Sequence, residues 1–408
     1  MFSSKGKITQ FVFATLLISS LLVSCSPPAP TESSPVNIET ATSSPPKIST
    51  IPPTEKPAPT ETATIIPTQS ISEVELQFPL SKPGKYFAGK QSVEYAHPWM
   101  ENSALGLRIF YPAEKPADFT GTVAWDAVPD KSSAPYPVLL CSTTVANELA
   151  PHLVSHGFVV VSVEGQKSYD TLGSKLIDYP QEILAALDNV ASNPTAELIG
   201  MMDTDNAGVF GYSFDGYNAL ALSGARFDPQ YYQQACSQVG SIIPVTPVIW
   251  PGWKDYMCPG STDFITIVGD AGKRLIVSED GLWQPMTDPR IKAAMPMAPE
   301  GALLFGDRGL KAVDIPILII GATADEYCPY SIEAVPIYEH IGSSDKSLIS
   351  FIDQSHMMVF DNIPKAKIEH FLVAFFKYHL MGSQEDEYYF SEEFVNKQPG
   401  LFWGVYSK

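Results

Sequence analysis

Gly208-Val-Phe-Gly-Tyr-Ser-Phe-Asp-Gly216 is a short apolar run that meets a serine and passes directly into a helix-forming segment. Read as a strand over 208–212 and a helix through 222, it holds Ser213 at a sharp turn above a sheet edge. A hydroxyl so exposed can meet a base, and a helix N-terminus behind it favours developing negative charge. Strand and helix pass closely at such a turn, so the residues two before and two after the serine must be small or point away. Gly211 satisfies this on one side. On the other stands Asp215, whose carboxylate either opposes an oxyanion or steadies the first helical turn while facing solvent.

Outward from this turn, strand and helix patterns alternate. Segments 86–95 and 105–111 read as early strands, joined without a helix and therefore an antiparallel edge. Segments 136–141 and 158–163 are short apolar runs expected of strands buried on both faces. Between them, 147–155 reads as a helix ending at Gly157. Pro180 reads as the first residue of a helix to about 191. Strands follow at 291–298, 315–320 and 347–352, and a helix over 364–380 closes the core. The pattern predicts an α/β fold: a mostly parallel central sheet with helices on both faces. The stretch 225–289 breaks the rhythm and carries Phe227, Tyr231, Tyr232, Trp250, Trp253, Tyr256 and Trp283. It is expected to be a cap-like insertion lining an apolar pocket, the alternative being an insertion with its own small core.

In these residues the chain resembles the α/β-hydrolase superfamily. It looks closest to the branch holding dienelactone hydrolases, platelet-activating-factor acetylhydrolases and cutinase-like polyesterases. That branch reads Gly-x-Ser-x-Gly-Gly where this chain has Gly211-Tyr-Ser213-Phe-Asp215-Gly216. Ser155-His156-Gly157-Phe158-Val-Val-Val resembles the segment leading into the fourth strand. Pro316-Ile-Leu-Ile-Ile-Gly321-Ala-Thr-Ala-Asp325, with Pro329 after it, resembles the strand and loop bearing the family's acid. Ser355-His356 follows the strand 347–352. The order Ser213, Asp325, His356 agrees with the superfamily, and the 31 residues between acid and base leave room for one helix and one strand. Of the other histidines, His152, His156, His340, His370 and His379 fall in or just after helices and His97 precedes the core. Only His356 follows directly on a buried strand. Glu326 is the fallback acid, and Asp353 is a weaker rival because it sits too close to His356 along the chain.

The resemblance implies a serine hydrolase that cleaves carboxylic esters through an acyl-enzyme, with no metal or organic cofactor and a small-molecule ester as substrate. It also implies an oxyanion hole of two backbone N–H groups, from Phe214 and from the loop after Cys141, where Val145 is the candidate. The alternatives are a catalytically weak relative that binds a ligand at the cell envelope, and a peptidase or acyltransferase with the same nucleophile. No β-propeller repeat precedes the domain, which argues against an oligopeptidase architecture.

The first 25 residues carry an address. Lys5 and Lys7 precede an apolar run over 11–23, too short for an ordinary membrane span, which ends in Leu22-Val23-Ser24-Cys25. This resembles a bacterial lipobox, so 1–25 is expected to be a lipoprotein signal and Cys25 the lipid-bearing residue. Residues 26–72 contain 11 prolines among Ser, Thr and Glu and are expected to be a disordered spacer. The hydrolase domain should then occupy 73–408, tethered to a membrane and exported. Export permits disulfides, and Cys236 with Cys258 is the expected pair. Cys141 and Cys328 read as small core residues. The net charge of −19 argues against nucleic acid and anionic lipid head groups as partners.

Overall fold

A computed structural model describes residues 69–166, 171–242, 249–260 and 263–407. The signal segment, Cys25 and nearly all of the proline-rich stretch lie outside these residues. Ten strands form one sheet: β1 (Phe87–Ala96), β2 (Ala104–Ala113), β3 (Val123–Trp125), β4 (Tyr136–Ser142), β5 (Val159–Val163), β6 (Met202–Tyr212), β7 (Ile291–Met297), β8 (Ile317–Ala322), β9 (Lys346–Phe351) and β10 (Leu401–Trp403). Their order is β10-β9-β8-β7-β6-β4-β5-β2-β1-β3. The six strands from β9 to β5 run parallel. β1 and β2 form the expected antiparallel edge, with β2 also antiparallel to β5.

Every residue of β4, β5 and β8 is buried, because helices cover both faces. Side chains alternate along a strand, so Val138 and Leu140 of β4 enter one core layer while Leu139 and Cys141 enter the other. Helices Lys175–Ser192, Phe214–Leu222, Ala302–Leu310 and Ala334–His340 pack in the first layer, and Thr143–Ser155 with Asn362–Met381 in the second. Each such buried aliphatic side chain contributes about 1.5–3 kcal/mol relative to exposure.

Three boundaries differ from the expectation. The domain begins within the proline-rich stretch: Ser70 caps a helix over Ile71–Gln77 through a reciprocal pair of bonds with Glu73, so structure starts before residue 73. The helix expected from 147 starts at Thr143, immediately after β4. Pro180 lies inside its helix, which starts at Lys175. A proline there removes the N–H that would satisfy the carbonyl of Leu176, and the Tyr217 hydroxyl donates to that carbonyl instead.

The C-terminal stretch packs on the domain. β10 pairs antiparallel with β9 and covers the sheet edge, while Phe390 and Phe394 bury against Asn362–Met381. Three histidines fasten the entry segment. His152 Nε2 donates to the Leu80 carbonyl (2.8 Å), His156 Nε2 to the Lys82 carbonyl (2.9 Å), and the Leu80 N–H donates to His370 Nδ1 (3.1 Å). Burial pushes His370 down to about 3 and His152 down to about 4. A histidine depressed in the folded state stabilises fully above its unfolded pKa near 6.5 and loses that contribution as pH falls toward the folded value. Relative to a His370→Asn variant, wild-type stability is therefore expected to fall by about 1.4 kcal/mol per pH unit below roughly pH 6.5. Denaturant midpoints of both proteins at pH 7 and pH 5 check this, and parallel pH curves would refute it.

Candidate active site

The turn after β6 dictates where Ser213 sits. Its φ of 62° and ψ of −126° are strained for a residue with a Cβ, at a cost on the order of 1–3 kcal/mol. Neighbouring backbone fixes this conformation: the Ser213 N–H donates to Met297 O (3.0 Å), and its carbonyl accepts from Gly216 (2.9 Å) and Glu300 (3.3 Å). Gly211 is required for the close approach, since a Cβ there would lie 1.9 Å from the carbonyl oxygen of Asp215. Asp215 itself is 1% exposed and accepts from Asn218 Nδ2 at 3.2 Å. It does not face solvent as one reading expected; its charge raises the Cys141 thiol, which burial already holds far above its ordinary value.

Asp325 follows β8 and His356 follows β9, so two adjacent parallel strands deliver both at the same sheet edge as Ser213. His356 Nε2 lies 2.9 Å from Ser213 Oγ. On the other side of the ring, Nδ1 lies 2.9 Å from Asp325 Oδ2 and 3.0 Å from Oδ1. The carboxylate keeps the proton on Nδ1, which leaves Nε2 to accept from the serine hydroxyl. Asp325 is 3% exposed and is itself held by the N–H groups of Tyr327 (2.9 Å) and Cys328 (2.7 Å). The His356 carbonyl accepts from the Tyr212 hydroxyl, which anchors the histidine to the end of β6.

The two rival acids occupy other places. Glu326 Oε2 accepts the His356 backbone N–H at 3.1 Å, so it holds the loop of His356 rather than its ring. Asp353 turns at φ 55° with its N–H on Thr323 Oγ1, and the carboxylate at Nδ1 is that of Asp325.

Phe214 is the first residue of its helix, so its N–H lies at the positive end of the helix beside Ser213. Val145 lies not in a loop but in the first turn of Thr143–Ser155, another position whose N–H has no acceptor within its own helix. Ser142 in extended conformation ends β4 and begins that helix without an intervening loop.

Around Ser213, Asp325 and His356 stand two glutamates that the sequence reading did not single out. Glu300 follows β7, is 6% exposed and accepts from the Tyr256 hydroxyl at 3.2 Å. Burial pushes it up to about 7. Glu333 is fully buried, caps Gly301 and Ala302 through Oε2 at 2.9 Å each, and is pushed up to about 8 by burial and then by Glu300. Burial likewise raises the thiol of Cys328. Rising pH through about 7 thus places a negative charge beside the serine. For charges on the order of 10 Å apart at an effective dielectric near 20 this is worth about 1–2 kcal/mol. Glu300→Gln is expected to raise ester turnover roughly five- to thirtyfold at pH 8 with little effect at pH 6. Equal ratios at both pH values in a rate-against-pH profile would refute that assignment.

The aromatic insertion divides in two. Phe227, Phe264 and Trp283 pack with centroids 4.4 Å and 5.0 Å apart and join the first core layer through Tyr217 and Phe305, rather than forming a core of their own as the alternative reading held. Trp250 and Tyr256 turn toward the site. Trp250 is 41% exposed, donates its backbone N–H to Glu326 O (2.7 Å), and its ring lies 6.1 Å from that of Tyr327, which is 5.3 Å from that of His356. Cys236 and Cys258, both in the insertion, are joined by a disulfide, while Cys141 and Cys328 are free and buried.

Residues 102–238 and 280–400 match the model of the PET hydrolase-like family. Ser213, Asp325 and His356 all fall in the matched stretches, and the gap between them falls within the aromatic insertion. The chain is similar to Cutinase est1 of Thermobifida alba, with 22% identity over 230 residues, 56% of this chain and 53% of that protein. The alignment therefore spans about half the length of that curated relative. With a match over more than half its length, set on a parallel sheet that brings a serine, a histidine and an aspartate to one edge, this chain belongs to the PET hydrolase-like family of α/β-hydrolases.

Proposed function

We propose that the protein hydrolyses carboxylic esters with Ser213 as nucleophile, His356 as general base and acid, and Asp325 as the group that orients the imidazole. The observation that carries this is the 2.9 Å contact from His356 Nε2 to Ser213 Oγ, with Nδ1 held by Asp325 at 2.9 Å. As Oγ attacks the ester carbonyl carbon, its proton passes to Nε2 and the carbonyl oxygen becomes an oxyanion. The N–H groups of Phe214 and Val145 are assigned to stabilise it. Collapse breaks the ester C–O bond, and the proton on Nε2 passes to the departing alcohol. Water then attacks the acyl-serine, gives its proton to Nε2, and the acid leaves as Ser213 regains its hydrogen.

The exposed Trp250 and Tyr327 beside His356 favour substrates that present a flat or apolar group next to the scissile bond. The name cutinase for the relative supports an ester of that kind. The protein acts outside the cytoplasm, carried by the signal segment and held by lipid on Cys25, with the proline-rich stretch as spacer. Mass measurement of a Cys25→Ala variant should find no lipid, and lipid retained on it would remove the anchor. A panel of aryl and alkyl esters set against short peptides tests the activity: esters are expected to be cleaved, and cleavage of peptides alone would overturn the reading.

A further inference from the structure

A cavity of about 310 Å³ lies at the C-terminal end of β9, where β10 and the start of the helix Asn362–Met381 meet. Lys367 lines it at 6% exposure, the one lysine or arginine among the described residues that is fully buried. Its Nζ donates to Pro399 O at 3.1 Å and passes 5.5 Å from the Phe78 ring. Burial alone pushes its amine down to about 8, and among the described residues no carboxylate forms an ion pair with it. An uncompensated buried charge is costly and calls for an anion.

The surroundings repeat the demand. A helix side chain leans toward the helix N-terminus, so Lys367 reaches back over the first turn of a 20-residue helix. That turn holds no acidic residue, and its cap, Asp361, makes no side-chain bond to the free N–H groups. Ile363 and Pro364 of the turn line the cavity together with Phe351, Ile352 and Leu401, so the walls are apolar. Asp353 and Asp361 also line it but stand exposed, where solvent screens them.

We propose that this cavity is a binding site for a small amphiphilic carboxylate, its head group on Lys367 and the helix N-terminus and its apolar body against Phe351, Ile352 and Leu401. None of Ser213, Asp325 and His356 lines this cavity, and the proposal does not depend on the hydrolase reading.

The test uses the full chain with Ser213 blocked by a phosphonate, so that the reaction site cannot contribute. Hexanoate is the probe and inorganic phosphate the comparison. Reductive methylation with ¹³C reports the titration of Lys367. Hexanoate is expected to move that titration up from about 8 toward the ordinary lysine value. It should also protect the amine from acetylation. In calorimetry Lys367→Met should weaken hexanoate roughly ten- to a hundredfold. If that variant does not fold, the titration and protection of the wild-type lysine decide alone. An unmoved Lys367 titration at millimolar hexanoate, or equal affinity for phosphate, would overturn the assignment.

Discussion

Ser213→Ala is expected to lower ester turnover by roughly 10⁴- to 10⁶-fold while leaving the fold and its melting temperature close to wild type. The expectation follows from the role of the hydroxyl. Its oxygen lies 2.9 Å from His356 Nε2, and its backbone geometry is fixed by Met297, Gly216 and Glu300 rather than by its side chain. Removing Oγ removes the covalent path and disturbs no backbone bond. An alanine at φ 62° bears the same strain as a serine, so the stability difference should stay within about 1 kcal/mol. Activity remaining within tenfold of wild type would show that another group attacks the ester.

Asp325→Asn should be nearly as damaging, on the order of 10⁴-fold in kcat, for a different reason. Asp325 Oδ1 accepts from the Tyr327 and Cys328 N–H groups, so an asparagine keeps its oxygen there and turns its NH2 to the imidazole. Facing a donor, Nδ1 gives up its proton, Nε2 takes it, and the ring presents an N–H to Ser213 where a base is needed. The neighbouring variant Glu326→Gln is the control. Glu326 holds only the His356 backbone N–H, and a glutamine oxygen still accepts that bond. Its loss should stay within roughly tenfold. Comparable losses in the two variants would mean that the acid had been assigned to the wrong carboxylate.

The central site was legible because each of its parts leaves a local mark. Gly211 before Ser213, an apolar strand before Asp325 and another before His356 follow from the demands of a parallel sheet that delivers loops to one edge. The misread parts depend on distant partners. Thr143-Thr144 looks like a loop until Ser142 is seen to end β4 and start a helix at once. Pro180 looks like a start signal, and only the Tyr217 hydroxyl, 37 positions on, makes it tolerable inside a helix. Glu300 and Glu333 look in sequence like ordinary loop acids. The partners that hold them buried are the Tyr256 hydroxyl for Glu300 and the start of the helix Ala302–Leu310 for Glu333, each more than thirty positions away along the chain. β3 and β10 span three residues each and have too few positions to show a period of two.

Mapping the residue that a fluorophosphonate modifies is the most direct measurement, because the reagent requires a serine oxygen already activated by a base. The triad predicts a single adduct on the peptide containing Ser213, formed readily in the wild type and suppressed in His356→Ala. An adduct on another serine, or labelling of Ser213 at an unchanged rate without His356, would contradict it.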